Sequence, residues 1–260
     1  LMPHAPYIYF PSGRSYQSKR YMIGSDGRWW GDDQNLIDLD YKRYMFQVGM
    51  LDQKIGELVS HLKERGTYDD AMIVLVADHG RVFAPNRAVR EMNEDNAELL
   101  HIPLFVKRPG QEVGRVSDAK VSALDVLPTI AEELGQDLQW ELDGRPIFSS
   151  NFDDRDNVHL KVRGKDYTFA WEEVTRLPLL KWQVRTFGSG QPLSELAINR
   201  PYSGLIGRSV SSLPVSENGA APSISFSESF SGFADVNLDS RPLPALIDSE
   251  LVGDVPDGAW

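Results

Sequence analysis

Asp78 and His79 stand side by side after the apolar run Ala71-Met-Ile-Val-Leu-Val-Ala77. A carboxylate and an imidazole at the C-terminal end of a strand sit where open α/β sheets bind ligands. Such a pair suits a divalent cation, although two donors are too few to hold one alone. The plainer alternative is that Asp78 caps the following turn and His79 faces solvent. Two more histidines, His4 and His101, lie on either side in sequence, and their plain readings are a loop residue for His4 and, just ahead of a strand, a partner for a backbone carbonyl for His101. With no cysteine in the chain, a thiolate metal site, a cysteine nucleophile and a disulfide framework are all excluded within it.

The elements that must position these residues are legible as patterns. Between Asp40 and Arg65, Tyr44, Val48, Leu51, Ile55, Leu58, Val59 and Leu62 recur at three- and four-residue steps, which predicts an amphipathic helix ended by Gly66. The β-branched run 71–77 predicts a strand buried on both faces of a parallel sheet. Ile102 to Val106 predicts a second strand, and Val121 to Leu134 a helix with Ser122 as N-cap and Gly135 at its end. This order is that of a doubly wound, mostly parallel α/β sheet flanked by helices. The first 35 residues, rich in Pro, Gly, Tyr and Arg, read as a long irregular loop. Within it Arg14, Lys19, Arg20 and Arg28, interleaved with Tyr16, Tyr21, Trp29 and Trp30, form either a substrate lid or a packed surface loop. Past Gly144-Arg145-Pro146 short apolar runs alternate with Pro, Gly and Ser, so the chain divides into an α/β part, 1–149, and a β-rich region, 150–260.

Four motifs in order resemble the sulfatase family of the alkaline phosphatase superfamily. They are Pro3-His4-Ala5-Pro6, the stretch from Tyr44 through Leu51-Asp52 to Ala77-Asp78-His79-Gly80, His101-Ile-Pro-Leu-Phe-Val-Lys-Arg-Pro-Gly110, and Val121-Ser-Ala-Leu-Asp125-Val-Leu-Pro128 with Leu142-Asp143-Gly144-Arg145. The resemblance covers residues 1 to about 148 and implies an incomplete sulfatase-like α/β domain. It implies that Asp78 and His79 are ligands of a divalent metal ion (Ca, Mn, Zn or Mg), that His4 contacts the transferred sulfuryl or phosphoryl group, and that His101 lies beside it. The implied reaction is hydrolysis or transfer of a sulfate or phosphate ester. Asp52 is expected in a buried bond that positions loops, His61 on a solvent face, and Lys107 and Arg108 as solvated cations or anion contacts. His159 stands in no motif.

The family pattern begins with a strand carrying one or two further metal-binding Asp residues and a helix headed by the nucleophile. Neither precedes His4, and no Ser/Cys-x-Pro-x-Arg motif occurs in the chain. The sequence therefore reads as the C-terminal half of such a domain, inactive alone, with its N-terminal half as the missing partner. The alternative is a non-catalytic sulfatase-like binding or structural module of a larger extracytoplasmic protein. The resemblance implies an extracytoplasmic or membrane-tethered parent, yet no residue of the chain identifies a compartment. Twenty-seven basic against 38 acidic side chains, a net charge of −11, argue against nucleic acid as a partner. No stretch approaches the roughly 20 apolar residues of a membrane span.

Overall fold

A computed structural model of the protein describes residues 3–17, 22, 24–90, 99–175 and 208–212, together with the strands at 223–226, 242–244 and 249–252. The chain divides into two compact units, one of 1–23, 38–54 and 183–260 and one of 24–37 and 55–182.

In the first unit, β1 (Ser15–Gln17) pairs in parallel with β7 (Pro242–Pro244), and β6 (Ser223–Phe226) pairs antiparallel with β8 (Ser249–Val252). The middle of the long helix α1 (Gln34–Glu64) belongs here as well. Its buried stripe is not the apolar one that spacing predicts. Asp40, Arg43 and Gln47 are buried beside Met50, whereas Leu51 is only half-buried and Asp52 is exposed rather than held in a buried bond. These polar side chains are buried because they bind backbone. Gln47 Nε2 donates to the His4 carbonyl at 2.7 Å, and its Oε1 accepts from Ile8 N at 3.2 Å. Arg43 Nε donates to the Tyr7 carbonyl at 3.1 Å, and Nη1 pairs with Asp40 at 2.9 Å. Tyr7, 1% exposed, packs edge-on against Tyr44 with ring centroids 5.5 Å apart. The loop at 4–10 is thus strapped to α1 by groups that would each be costly to bury unpaired.

The second unit holds both ends of α1. Asp33 is its N-cap, with Oδ1 accepting from Asn35 N at 2.8 Å, so the helix starts six residues before the position expected from apolar spacing. It stops where Gly66 takes φ +67° and Thr67 N returns to the Leu62 carbonyl. His61 is exposed, as expected.

Strand β2 (Ile73–Val76) pairs with β3 (Leu104–Lys107), but antiparallel and as a two-stranded sheet. The described residues therefore contain helices and small, mainly antiparallel sheets; a doubly wound parallel sheet is not among them. A parallel neighbour needs a crossover, usually helical, and the segment between β2 and β3 has no α-helix among its described residues. Nor is β2 buried on both faces: its residues are half-buried and Val76 is 44% exposed, because β3 is its one strand partner among the described residues.

The predicted helix after Val121 forms as a 3₁₀ turn, Ala123–Asp125, leading into α2 (Val126–Glu133), with Ser122 at the N-cap. Ser122 N donates to Asp125 Oδ2 at 2.7 Å. Gly135, φ +62°, closes α2. Beyond residue 150 an antiparallel hairpin joins β4 (Asn157–Val162) to β5 (Lys165–Ala170) through Arg163-Gly164. Both turn residues have positive φ, 50° and 80°, as a two-residue turn matched to strand twist requires. The short helix α3 (Trp171–Thr175) follows. The aromatic run Trp182 to Phe187 lies outside the described residues. Among those described, no helix is long and apolar enough to cross a membrane.

Candidate metal and anion site

The second unit presents Asp78 and His79 directly after β2, at the strand's C-terminal end. Asp78 Oδ1 accepts from the His79 backbone N–H at 3.0 Å, and its side chain is 83% exposed. His79 Nδ1 lies 2.8 Å from the Gly80 carbonyl. A carbonyl can only accept, so Nδ1 carries the proton and Nε2 keeps a free lone pair. That nitrogen faces Asp78 Oδ2 at 3.9 Å.

This donor set fits part of a metal site. Two ligands about 2.0–2.2 Å from one tetrahedral ion stand roughly 3.4 Å apart, which a small side-chain rotation would reach from the observed spacing. The carbonyl that holds Nδ1 is the usual outer support of a ligating histidine. No group of three or more His, Asp or Glu able to hold an ion is found among the described residues.

The other two histidines are fixed in the same manner. His101 Nδ1 lies 3.3 Å from the Val174 carbonyl at the end of α3, and the segment ahead of it is tied to the Asp78 loop by Gly80 N donating to the Leu99 carbonyl at 2.7 Å. In the first unit, His4 is exposed and its Nδ1 lies 2.6 Å from the Ala5 carbonyl, while Gln47 holds its own carbonyl. His159 is engaged with Thr168 Oγ1 at 3.1 Å across β4 and β5. Lys107 and Arg108 are both engaged by the protein, although the Arg108 side chain stays 45% exposed. Lys107 Nζ donates to the carbonyls of Tyr68, Asp69 and Ala71, and Arg108 pairs with Glu133 at 2.8 Å over the Phe148 ring.

The Asp78 loop has a scaffold that spacing alone did not reveal. Ser25 to Trp30 forms a tight turn in which Asp26 Oδ1 accepts from Arg28 N and Trp29 N at 2.8 and 2.7 Å. Those backbone bonds hold the exposed Asp26 carboxyl below the usual carboxylate range. The turn clamps segment 82–89: Trp30 N donates to the Arg87 carbonyl, Val89 N to the Arg28 carbonyl, and Trp30 Nε1 to the Val82 carbonyl at 2.5 Å. Trp30 is 2% exposed against Phe83, while Trp29 is 46% exposed. Trp30 is thus a core side chain; Lys19, Arg20 and Tyr21 of the same expected lid lie outside the described residues. The signal available in sequence was the Asp26-Gly27 turn followed by paired tryptophans.

A second knot ties α2 to the chain beyond it. Asp125 is fully buried and accepts from Arg155 Nη1 and Nη2 at 2.5 and 2.7 Å, from Arg145 N at 2.8 Å and from Ser122 N. Burial pushes its carboxyl up, but the Arg155 hydrogen bonds and the two backbone N–H groups outweigh this and leave it below the ordinary range. Gly144 passes so close that an added Cβ would collide with the Leu124 carbonyl.

With this geometry in view, the comparisons with known proteins agree with the motifs. The family model described as Sulfatase matches residues 2–135, and the chain belongs to the sulfatase family of the alkaline phosphatase superfamily. An endo-4-O-sulfatase of Bacteroides thetaiotaomicron is 29% identical over 129 residues, 48% of this chain and 25% of that protein. A multifunctional alkaline phosphatase superfamily protein, PehA of Trinickia caryophylli, is 29% identical over 129 residues, 49% of this chain and 25% of that protein. Lipoteichoic acid synthase 1 of Bacillus subtilis is 31% identical over 119 residues, 43% of this chain and 18% of that protein. Among solved structures, the phosphonate monoester hydrolase SpPMH of Silicibacter pomeroyi is 30% identical, covering 48% of this chain and 25% of that one, with a TM-score of 0.43. The chain spans at most about a quarter of the length of these relatives.

Proposed function

We propose that this chain forms part of a metal-dependent enzyme that hydrolyses or transfers sulfate or phosphate esters, and that Asp78 and His79 supply two of the metal's ligands. The observation that carries the reading is the pairing at the end of β2: the Gly80 carbonyl fixes the His79 tautomer, and Nε2 faces the Asp78 carboxylate at 3.9 Å. When bound, the metal supplies Lewis-acid stabilisation of charge on the ester oxygens. His79 and Asp78 bind and orient it. His101, with Nδ1 held by a carbonyl, presents Nε2 to the transferred group as donor or acceptor according to protonation, and His4 takes the same role on the family resemblance alone. In this reading residues 1–149 contribute the α/β part and 150–260 an accessory β-rich region.

The remaining ligands and the nucleophile come, we infer, from polypeptide beyond these 260 residues. Val76 and Phe105 support this. Directly paired residues share a face, and Val76 pairs with Leu104 while Leu75 pairs with Phe105, so these two exposed apolar side chains, 44% and 65%, lie on opposite faces. A two-stranded sheet apolar on both faces is marginal in water and suited to the interior of a larger sheet.

The test is elemental analysis and turnover of the full-length parent against paired aryl sulfate and phosphodiester substrates, with Asp78→Asn and His79→Ala. Each variant should lose bound metal and at least 10²-fold in kcat/KM. Full metal content in both variants would refute the ligand assignment, and metal-dependent turnover by the 260-residue chain alone would refute the incomplete site.

A further inference from the structure

We propose that the Val174 carbonyl is a positioning group for His101, and that β4, β5 and α3, which lie beyond the residues matched by the family model, serve the candidate site by carrying that carbonyl; the proposal rests on the reading of His101 above. His4 and His79 each bond the carbonyl of the next residue, which local backbone geometry supplies by itself. His101 differs from both. Its Nδ1 lies 3.3 Å from a carbonyl 73 residues further along the chain, so tertiary structure has to bring the two together. Because a carbonyl only accepts, Nδ1 carries the proton and the exposed ring offers Nε2. The segment just ahead of His101 is joined to the Asp78–His79 loop, with Gly80 N donating to the carbonyl of buried Leu99 at 2.7 Å.

The acceptor is itself held from several sides. The last carbonyls of a helix have no partner within it. In α3 those of Trp171 and Glu172 accept from Thr175 Oγ1 at 3.1 and 3.3 Å, and that of Val174 accepts from His101. The start of α3 is fixed as well: Trp171 N donates to the Asp156 carbonyl at 2.8 Å, and Ala170 N donates to Glu173 Oε2 at 3.0 Å, half of a capping box. Arg155, next to Asp156, is bonded to buried Asp125 and to the Lys120 carbonyl. The side chains of Phe169 and Val174, 4% and 5% exposed, seat β5 and α3 in the protein interior. An isolated two-stranded hairpin is marginal in water, so these anchors are what allow β4 and β5 to deliver a rigid acceptor. A fixed acceptor on Nδ1 sets both the tautomer and the plane of the ring, and so decides where Nε2 points.

The experiment uses the full-length parent, labelled with nitrogen-15 at histidine, and reads ring-nitrogen NMR together with kcat/KM on the ester that the wild type turns over. Val174→Pro removes an N–H that α3 needs and crowds the carbonyl four residues back, so it displaces the last turn and the acceptor with it. His101 should then change from one tautomer to a mixture, and kcat/KM should fall about tenfold or more. Combined with His101→Ala, which by itself should cost about 10²-fold, Val174→Pro should change kcat/KM by less than about twofold further, because its effect runs through the ring. A single unchanged tautomer in Val174→Pro overturns the proposal. So does a double variant that loses the product of the two single effects, which is the mark of a helix with a purely structural role. Should Val174→Pro not fold, Glu173→Ala, which removes the acceptor from Ala170 N, decides: a mixture of tautomers that Glu173→Gln returns to one is expected, and an unchanged tautomer overturns the assignment. His101→Ala with wild-type kcat/KM refutes the reading of His101 itself, whereas an unchanged tautomer in Val174→Pro beside an impaired His101→Ala refutes this assignment alone.

Discussion

Replacing Asp125 by alanine removes the acceptor for four N–H groups at once: two from Arg155, one from Arg145 and one from Ser122. Asp125 is 0% exposed and the Arg155 side chain 18% exposed, so the guanidinium left behind is only partly rehydrated. Breaking a buried pair from one side costs about 3–5 kcal/mol, and each backbone N–H orphaned inside costs about 1–3 kcal/mol more where water cannot reach it. Allowing for relaxation, the expected loss is about 4 kcal/mol, a large share of the ~5–15 kcal/mol that a domain has. Urea denaturation followed by tryptophan fluorescence reads it directly. With a slope of about 2 kcal/mol/M, the midpoint should fall by roughly 2 M. Arg155→Met should cost less, about 2–3 kcal/mol, because the carboxylate keeps its two backbone donors. The double variant should cost clearly less than the sum of the two. A midpoint shift below about 0.5 M for Asp125→Ala at unchanged slope would refute the reasoning, since it would mean that the knot contributes no more than an exposed ion pair.

Acid should act on the same group. The folded carboxyl of Asp125 titrates below its unfolded value, so its stabilisation is complete above about pH 4 and is lost as pH falls through the folded value; melting temperatures from pH 7 to 3 should drop less steeply in Arg155→Met than in wild type. Gly144→Ala drives a methyl into the Leu124 carbonyl, and because backbone cannot swing aside it should cost about 3 kcal/mol by urea denaturation. Gly114→Ala, where an added Cβ meets nothing, should stay within about 0.5 kcal/mol of wild type.

What could be read from sequence follows how locally each feature is determined. The helix over 40–65, the strand ending at Asp78 and the helix after Ser122 are written in periodicity and end signals, and all three form, although the first begins six residues early. The burial stripe of α1 was not legible, because Asp40, Arg43 and Gln47 are polar and their burial makes sense only when the carbonyls of His4 and Tyr7 and the N–H of Ile8 are brought to them from over 30 residues away. Asp125 likewise looks like an ordinary residue in the first turn of a helix until Arg155 arrives. Sheet direction is less legible still, since a continuous β-branched run records burial intended for a strand and says nothing about which neighbour supplies it. Val76 and Phe105 retain that record while standing exposed.

The candidate site shows the same division. Asp78 beside His79 is a statement of residue types and can be read at once, whereas the state of the imidazole is set by a carbonyl, which every residue possesses and no sequence distinguishes. All three candidate histidines, His4, His79 and His101, have Nδ1 against a backbone carbonyl, from Ala5, Gly80 and Val174 respectively. Each is thereby left with Nε2 as its reactive nitrogen. A backbone carbonyl is a common partner for Nδ1–H, so the shared arrangement sets which nitrogen each ring offers and does not by itself assign a task. Nitrogen-resolved NMR of the neutral rings should find the lone pair on Nε2 at His79 and His101, and a mixture of tautomers at either would count against the carbonyl bonds that hold them.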